Sequence, residues 1–361
     1  MNHNIERMQQ RMNQLGVRLR PHVKTSKCLP VIDAQIAAGA VGITVSTLKE
    51  AEHCFAHGIL DVLYAVAITP GKLPQALTLR RRGCRLALIT DSVQGAQAIA
   101  DFGTRHDERF DVWIEIDCDG HRSGLKVEDV ALLEVAQVLN TGGMNLRGVM
   151  THAGSSYDLS CTDALRALAE QERAVCVAAA QRIRHAGLKC PEVSIGSTPT
   201  ALSAVNLEGV TEVRAGVYVF FDLVMHNVGV CSAQELALSV LTTVIGHQVE
   251  KGWVIVDAGW MAMSRDRGTH KQQRDFGYGQ VCALNGDWLE GAQLSGANQE
   301  HGIVTFEHAP ALPIVSQFPI GTRLRILPNH ACATGAQFEQ YHAFDTDASG
   351  AVHAWSRLNG W

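Results

Sequence analysis

The chain has 361 residues, with 31 Lys and Arg against 36 Asp and Glu, 46% apolar residues and 19% charged ones. That balance describes a globular protein with a large core and excludes a disordered chain, and a net charge of -5 with no long basic block argues against nucleic-acid binding. No run approaches the ~18 apolar residues of a membrane span, and the polar opening MNHNIERMQQRM is not a secretory signal.

The ten cysteines are scattered and form no CxxC pair. In a large chain with no export signal this pattern predicts reduced thiols and a cytoplasmic location. Ile5, Met8, Met12 and Leu15 recur at helical spacing and Gly16 ends that helix. Eight short apolar runs follow, at 17–23, 42–46, 61–68, 84–90, 110–117, 146–152, 191–197 and 212–219. Between them lie helical patterns at 47–58, 72–82, 92–102, 127–140, 160–187 and 199–207. The tripeptide RRR at 80–82 closes one of these patterns and reads as a solvated helix end.

Repeated strand–helix units with near-continuous apolar strands predict a parallel sheet, and eight of them predict a closed (β/α)8 barrel. A doubly wound open sheet is the alternative, weakened because no GxGxxG follows the first strand. Beyond about residue 235 strand-like runs succeed one another, separated by Gly, Asn and Pro turns. The expected organisation is therefore a barrel domain over 1–235 and an all-β domain over 236–361.

The stretch RPHVKTSK (20–27) places Lys24 at the C-terminal end of the first strand, where barrel enzymes gather their catalytic groups. In a partly apolar pocket beside Arg20 and Lys27, desolvation and like charge would favour a neutral amine, the form that condenses with an aldehyde. On position alone, a surface lysine at a strand end explains Lys24 equally well. GSTPT (196–200) after strand seven and RAGVYVFFD (214–222) at strand eight offer hydroxyls and backbone N–H groups to a phosphate. Taken singly, GSTPT is a common helix N-cap. A Schiff-base lysine opposite such a cup spans a pyridoxal phosphate.

The motifs RPHVKTSK (20–27), GITVSTLKEAE (42–52), EIDCDGHRSG (115–124), THAGSSY (151–157), GSTPT (196–200), VRAGVYVFFD (213–222), DAGWMAMSRDRG (257–268), NQEHG (298–302) and LPNHACAT (327–334) cover nearly the whole chain. With them the chain resembles the D-serine dehydratase / D-threonine aldolase family of the alanine-racemase-like fold (fold type III). The resemblance implies a pyridoxal-phosphate lyase that removes water from a D-3-hydroxy amino acid, D-serine or 3-hydroxyaspartate, leaving a 2-oxo acid and ammonia. It implies Lys24 as the Schiff-base lysine and Arg122 facing the cofactor ring, with Tyr157 nearby. Ser197, Thr198, Gly216 and Val217 fall in the phosphate cup, with Tyr218 adjoining. Val217 departs from the asparagine often found there, so only a backbone contact survives at that position.

His330 and Cys332 match the metal pair, for which Zn2+ suits best and Mn2+ or Co2+ are alternatives. An H-x-C spacing arises readily by chance among 16 His and 10 Cys. Its context is the strand-like RLRILPN, where alternation would put both side chains on one face. Family aldolases tend to carry Asp where Cys332 stands, which tilts the expectation towards elimination and away from a D-threonine aldolase. A D-amino-acid racemase is a further alternative, with Tyr278 or Tyr341 as a second base, and a non-catalytic pyridoxal-phosphate carrier is a third. For a substrate's second carboxylate, Arg265 and Arg267 are candidates, though surface arginines explain them more simply. The fold resemblance implies a homodimer. Family members usually open on a strand that joins the β domain. This chain opens inside the following helix, so either its start is placed too late or the β domain is short of one strand, with a bare edge.

Overall fold

The computed structural model describes residues 1–345 and 350–360. Contacts divide the chain into two compact units, one of Asn2–Tyr218 with the C-terminal segment from Trp355, the other centred on Val219–Ala354.

The first unit is built on eight parallel strands: β1 (Arg18–Leu19), β2 (Ile43–Val45), β3 (Asp61–Ala67), β4 (Arg85–Thr90), β5 (Asp111–Ile116), β6 (Asn145–Thr151), β7 (Glu192–Ile195) and β8 (Glu212–Val213). They pair in the order β1-β8-β7-β6-β5-β4-β3-β2. The seam between the two end strands is closed just beyond β1. There His22 bridges Thr44, Val23 N–H donates to the Thr44 carbonyl at 2.9 Å, and Thr44 N–H donates to the Pro21 carbonyl at 2.8 Å. The strands are short and buried over most of their length (β2 completely), as expected of a sheet covered by crossover helices.

Helices α1 (Asn2–Gln14), α2 (Leu29–Ala37), α3 (Leu48–Ala56), α4 (Leu73–Arg81), α5 (Val93–His106), α6 (Val130–Thr141), α7 (Thr162–His185) and α8 (Thr198–Ser203) complete the unit. Several start where the sequence supplies a cap. Thr47 accepts from Glu50 N–H, Ser92 from Gly95 N–H, and Ser197 from Thr200 N–H in a capping box.

Inside the barrel the strands carry charges as well as apolar side chains. Arg20 Nε donates to Glu212 Oε2 at 2.8 Å and its Nη1 to Asp61 Oδ1 at 2.5 Å. Ser194 Oγ donates to the other Glu212 oxygen at 2.8 Å. Glu212 is fully buried and Arg20 nearly so. Removing one partner of such a pair strands the other charge in a poorly solvated place. Arg20→Met is therefore expected to destabilise this unit by about 3–5 kcal/mol, read as a shift in the denaturant midpoint; a loss under ~1 kcal/mol would show that the pair contributes little.

The second unit holds a closed antiparallel barrel of β9 (Val240–Gln248), β10 (Trp253–Val256), β11 (Gly279–Cys282), β12 (Trp288–Ala297), β13 (Gly302–Phe306) and β14 (Arg323–Pro328), in the ring order β10-β13-β12-β11-β14-β9. Val244, Val254, Val256, Val281, Leu294, Val304 and Ile326 fill it. A separate pair, β15 (Gln340–Phe344) and β16 (Val352–Ser356), completes its sheets. The expectation of a bare sheet edge is corrected here. β9 and β10 pair with each other, from Trp253 opposite Gln248 onward, and this closes the ring. Among the described residues no helix is long and apolar enough to cross a membrane.

Candidate active site

The first-unit residues singled out in the sequence, Lys24, Arg122, Tyr157, Ser197, Thr198 and Gly216–Tyr218, lie beyond the C-terminal ends of the parallel strands, where the following loops begin. Lys24 lies in the turn after β1, two residues beyond the His22 bridge, and its side chain is exposed. The C-terminal segment holds this turn in place: Arg357 Nε donates to the Ser26 carbonyl at 3.1 Å and Leu358 N–H to the Lys27 carbonyl. The cations expected to flank Lys24 are engaged elsewhere. Arg20 is bound to Glu212 and Asp61, and Lys27 Nζ lies 2.8 Å from Glu50 Oε1. The charges that act with Lys24 come instead from Arg122 and Arg214, which share with it the field on two imidazoles.

Those imidazoles belong to His22 and His152. Burial holds His22 well below its usual range, and Lys24, Arg214, His152 and Arg122 push the same way. Burial likewise takes His152 down to about 3, assisted by Arg122, Lys24 and Arg214 against the contact with Gly196. His152 is therefore neutral at physiological pH. Its Nδ1 lies 2.9 Å from the Gly196 carbonyl, which can only accept. The proton thus sits on Nδ1, and Nε2 keeps its lone pair. Tyr157, in a short turn after β6, has its ring 6.0 Å from that of His152. Arg122 is half exposed and 3.7 Å from Glu115, a buried strand carboxylate.

The loops after β7 and β8 form a cradle. Ser197 Oγ is committed to Ser156 Oγ at 2.8 Å and to the Thr200 amide. Thr198 Oγ1, in contrast, is buried and has no hydrogen-bond partner, a state that native structures rarely tolerate without a ligand or water. A Cβ on Gly216 would lie 2.9 Å from the His22 carbonyl and 3.2 Å from Thr25 Oγ1, so only glycine lets these loops approach so closely. Val217 is buried at the start of a short turn. Tyr218 is buried with its hydroxyl 2.9 Å from Gln35 Nε2, and burial raises its pKa above the usual range. An orphan hydroxyl, a glycine-lined cradle and three nearby cations suit a phosphate-bearing aldehyde that reacts with Lys24.

In the second unit His330 and Cys332 do not lie on a strand. β14 ends at Pro328, His330 caps a short helix over Ala331–Gly335, and Cys332 falls in its first turn. Alternation is therefore the wrong reason for their meeting; the turn into the helix brings the thiol into hydrogen-bonding contact with the imidazole. Asp222 fixes that turn by accepting from Ala331 N–H at 2.9 Å and from Met225 N–H at 3.0 Å. His330 Nδ1 is 2.7 Å from Asp266 Oδ2. Burial opposes the imidazolium, but Asp266 and Cys332 outweigh it and carry the ring up to about 11. With Nδ1 held by the Asp266 carboxylate, the usual support of a metal-binding histidine, Nε2 is the nitrogen left for a metal, which would displace the proton that the ring carries without it. Among the described residues no three His, Cys, Asp or Glu side chains converge into a cage. The His330–Cys332 pair nevertheless suits a divalent ion, with its remaining positions left for water and substrate.

Asp266 was missed in the sequence, where its neighbours drew attention instead. Arg265 stacks over Trp260 at 4.2 Å, and Arg267 binds Asp275 at 2.8 Å, so both arginines have structural partners. Tyr341 packs edge-on against Phe220 at 5.4 Å, and Tyr278 packs on the barrel core beneath Arg267. His22, His152 and Arg214 were missed as well. All three lie within the quoted motifs at strand ends, which was the available signal.

Comparison with known proteins agrees with this architecture. Residues 1–224 match the alanine racemase N-terminal domain and residues 237–344 a serine dehydratase domain. The chain is 66% identical to D-threo-3-hydroxyaspartate dehydratase of Delftia sp. (strain HT23), over 100% of this chain and 95% of that protein. It is 30% identical to D-serine dehydratase of Dictyostelium discoideum, over 95% and 90% respectively. The solved structure of the Delftia dehydratase superposes with a TM-score of 0.97, covering 100% of this chain and 95% of that one. A solved mutant of a D-threo-3-hydroxyaspartate dehydratase, in the metal-free form, gives the same TM-score at 65% identity, over 100% and 95%. The chain therefore belongs to the family that joins an alanine racemase N-terminal domain to a serine dehydratase domain.

Proposed function

We infer that this protein is a pyridoxal-phosphate- and divalent-metal-dependent lyase that eliminates water from a D-3-hydroxy amino acid, with D-threo-3-hydroxyaspartate its foremost substrate and D-serine a second. The observation that carries the reading is the group formed by Lys24, Arg122, Arg214 and two neutral imidazoles beside the unpartnered Thr198 hydroxyl. The 66% identity to a dehydratase over the whole chain supports the choice of reaction.

Bound here, pyridoxal phosphate supplies the electron sink for a carbanion, and a divalent ion at His330 and Cys332, most suitably Zn2+, supplies Lewis acidity towards the leaving hydroxyl. The Thr198 hydroxyl and the backbone N–H groups of the Gly216–Val217 turn hold phosphate. Arg122, steadied by Glu115, faces the ring. His152 presents a neutral Nε2. Lys24 Nζ would anchor the cofactor and would serve as the base for the α-proton on the face it occupies. His330 Nε2 and Cys332 Sγ hold the metal, with Asp266 fixing the imidazole. We extend the reading to a cytoplasmic homodimer; all ten cysteines are free thiols, which fits a reducing compartment.

A lysine on one face reaches the α-proton of one enantiomer only. Ammonia release is expected from D-threo-3-hydroxyaspartate and D-serine, with the L enantiomers at least ~100-fold slower. Comparable rates for both enantiomers would defeat the assignment of Lys24 as the base.

A further inference from the structure

Helix α7 buries Leu165, Leu168, Ala169, Cys176, Ala179, Ala180 and Ile183 at three- and four-residue spacing. Glu172 interrupts that apolar stripe with a carboxyl group that is 1% exposed. A carboxylate in such a place is costly, and burial raises the pKa of this one to about 7 against the hold of three donors. Its Oε1 accepts from Ala153 N–H and from Gly196 N–H, each at 3.0 Å, and its side chain also accepts from Thr200. Ala153 belongs to the loop after β6 and Gly196 to the loop after β7.

The consequences run outward from Glu172. Gly196 has φ +131°, and a Cβ there would lie 2.3 Å from the Arg214 carbonyl, so its two peptide planes need an external hold. Glu172 fixes the plane on its amide side, and His152 fixes the other by donating to its carbonyl. Thr200 Oγ1, in contact with Glu172, accepts from Ser197 N–H at 3.0 Å. Ser156 Oγ donates to the Ala153 carbonyl at 2.7 Å and lies 2.8 Å from Ser197 Oγ. Every hydroxyl in the network is thereby committed except that of Thr198.

We propose that Glu172 is a positioning residue for the cofactor phosphate: it touches no ligand but locks the loops after β6 and β7 so that, of the hydroxyls in this network, that of Thr198 is left to bind. The inference rests on the reading of these loops as a phosphate cup. It predicts that Glu172 governs the preference of the apoprotein for pyridoxal phosphate over pyridoxal, which lacks the phosphate.

The test is titration of wild-type, E172L, E172Q and T200V apoproteins with each compound, with circular dichroism confirming the fold. Leucine leaves two buried N–H groups unpaired, so in E172L the preference should fall about tenfold or more. Glutamine keeps a carbonyl oxygen for both amides, so E172Q should stay within about threefold of wild type. T200V removes the contacts of the Thr200 hydroxyl with Glu172 and Ser197 but leaves both amides on Glu172, so it should lower the preference part of the way; it also serves if E172L does not fold. An unchanged preference in E172L or T200V, an equal loss for both compounds, or E172Q as damaged as E172L would overturn the inference. A wild type that bound pyridoxal phosphate no better than pyridoxal would instead overturn the cup reading beneath it.

Discussion

Lys24→Ala is expected to abolish turnover, by more than about 10^4-fold, while leaving the fold intact. Two functions are lost at once, the covalent anchor for the cofactor and the base that removes the α-proton, and general-base catalysis alone is worth up to about 10^4-fold. The structural cost should be small, because the Lys24 side chain is exposed and its turn is held through backbone carbonyls by Arg357 and Leu358. Cofactor should still bind through the cradle, but without a covalent link. Borohydride reduction followed by peptide mass analysis should find the cofactor on Lys24 in the wild type and on no residue in the variant. Retained lyase activity in Lys24→Ala would place the chemistry on another residue.

Cys332→Ala is expected to lose bound metal and to slow water elimination by about 100-fold or more, since Lewis-acid assistance to a poor leaving group is worth several kcal/mol. Asp266→Asn should act more mildly. It keeps an acceptor for His330 Nδ1–H but removes the charge, and changes of this kind typically lower metal affinity 10–100-fold. Metal content by elemental analysis, set beside ammonia release, separates the two effects. Full activity with metal retained in Cys332→Ala would remove the pair from the mechanism.

The barrel was legible in the sequence because each parallel strand is an apolar run between helical patterns; seven of the eight strands fall within the expected segments, and β6 starts one residue before its own. Helix α2 escaped because LPVIDAQIA is apolar on most of its faces, so its period is faint. Strand β12, the longest among the described residues, carries a weak sequence signal for a different reason. WLEGAQLSGA contains Gly and Ala and no β-branched residue, and it is held as a strand by its ladders to β11 and β13, with a register shift in each.

In the candidate site, motif position marked Lys24, Thr198 and the His330–Cys332 pair. It could not reveal partners brought in from distant segments, such as Asp266 on His330 or Glu172 beneath Gly196. Nor could it show that Arg20 points away into a buried ion pair with Glu212, a contact 192 residues apart in sequence.

The most direct test of a metal-assisted dehydratase is product analysis after incubation with D-threo-3-hydroxyaspartate, with and without a chelator. The account predicts oxaloacetate and ammonia in equal amounts, a rate that collapses with the chelator and recovers with added Zn2+, and no glycine. Glycine and glyoxylate as the main products, or elimination indifferent to the chelator, would contradict it.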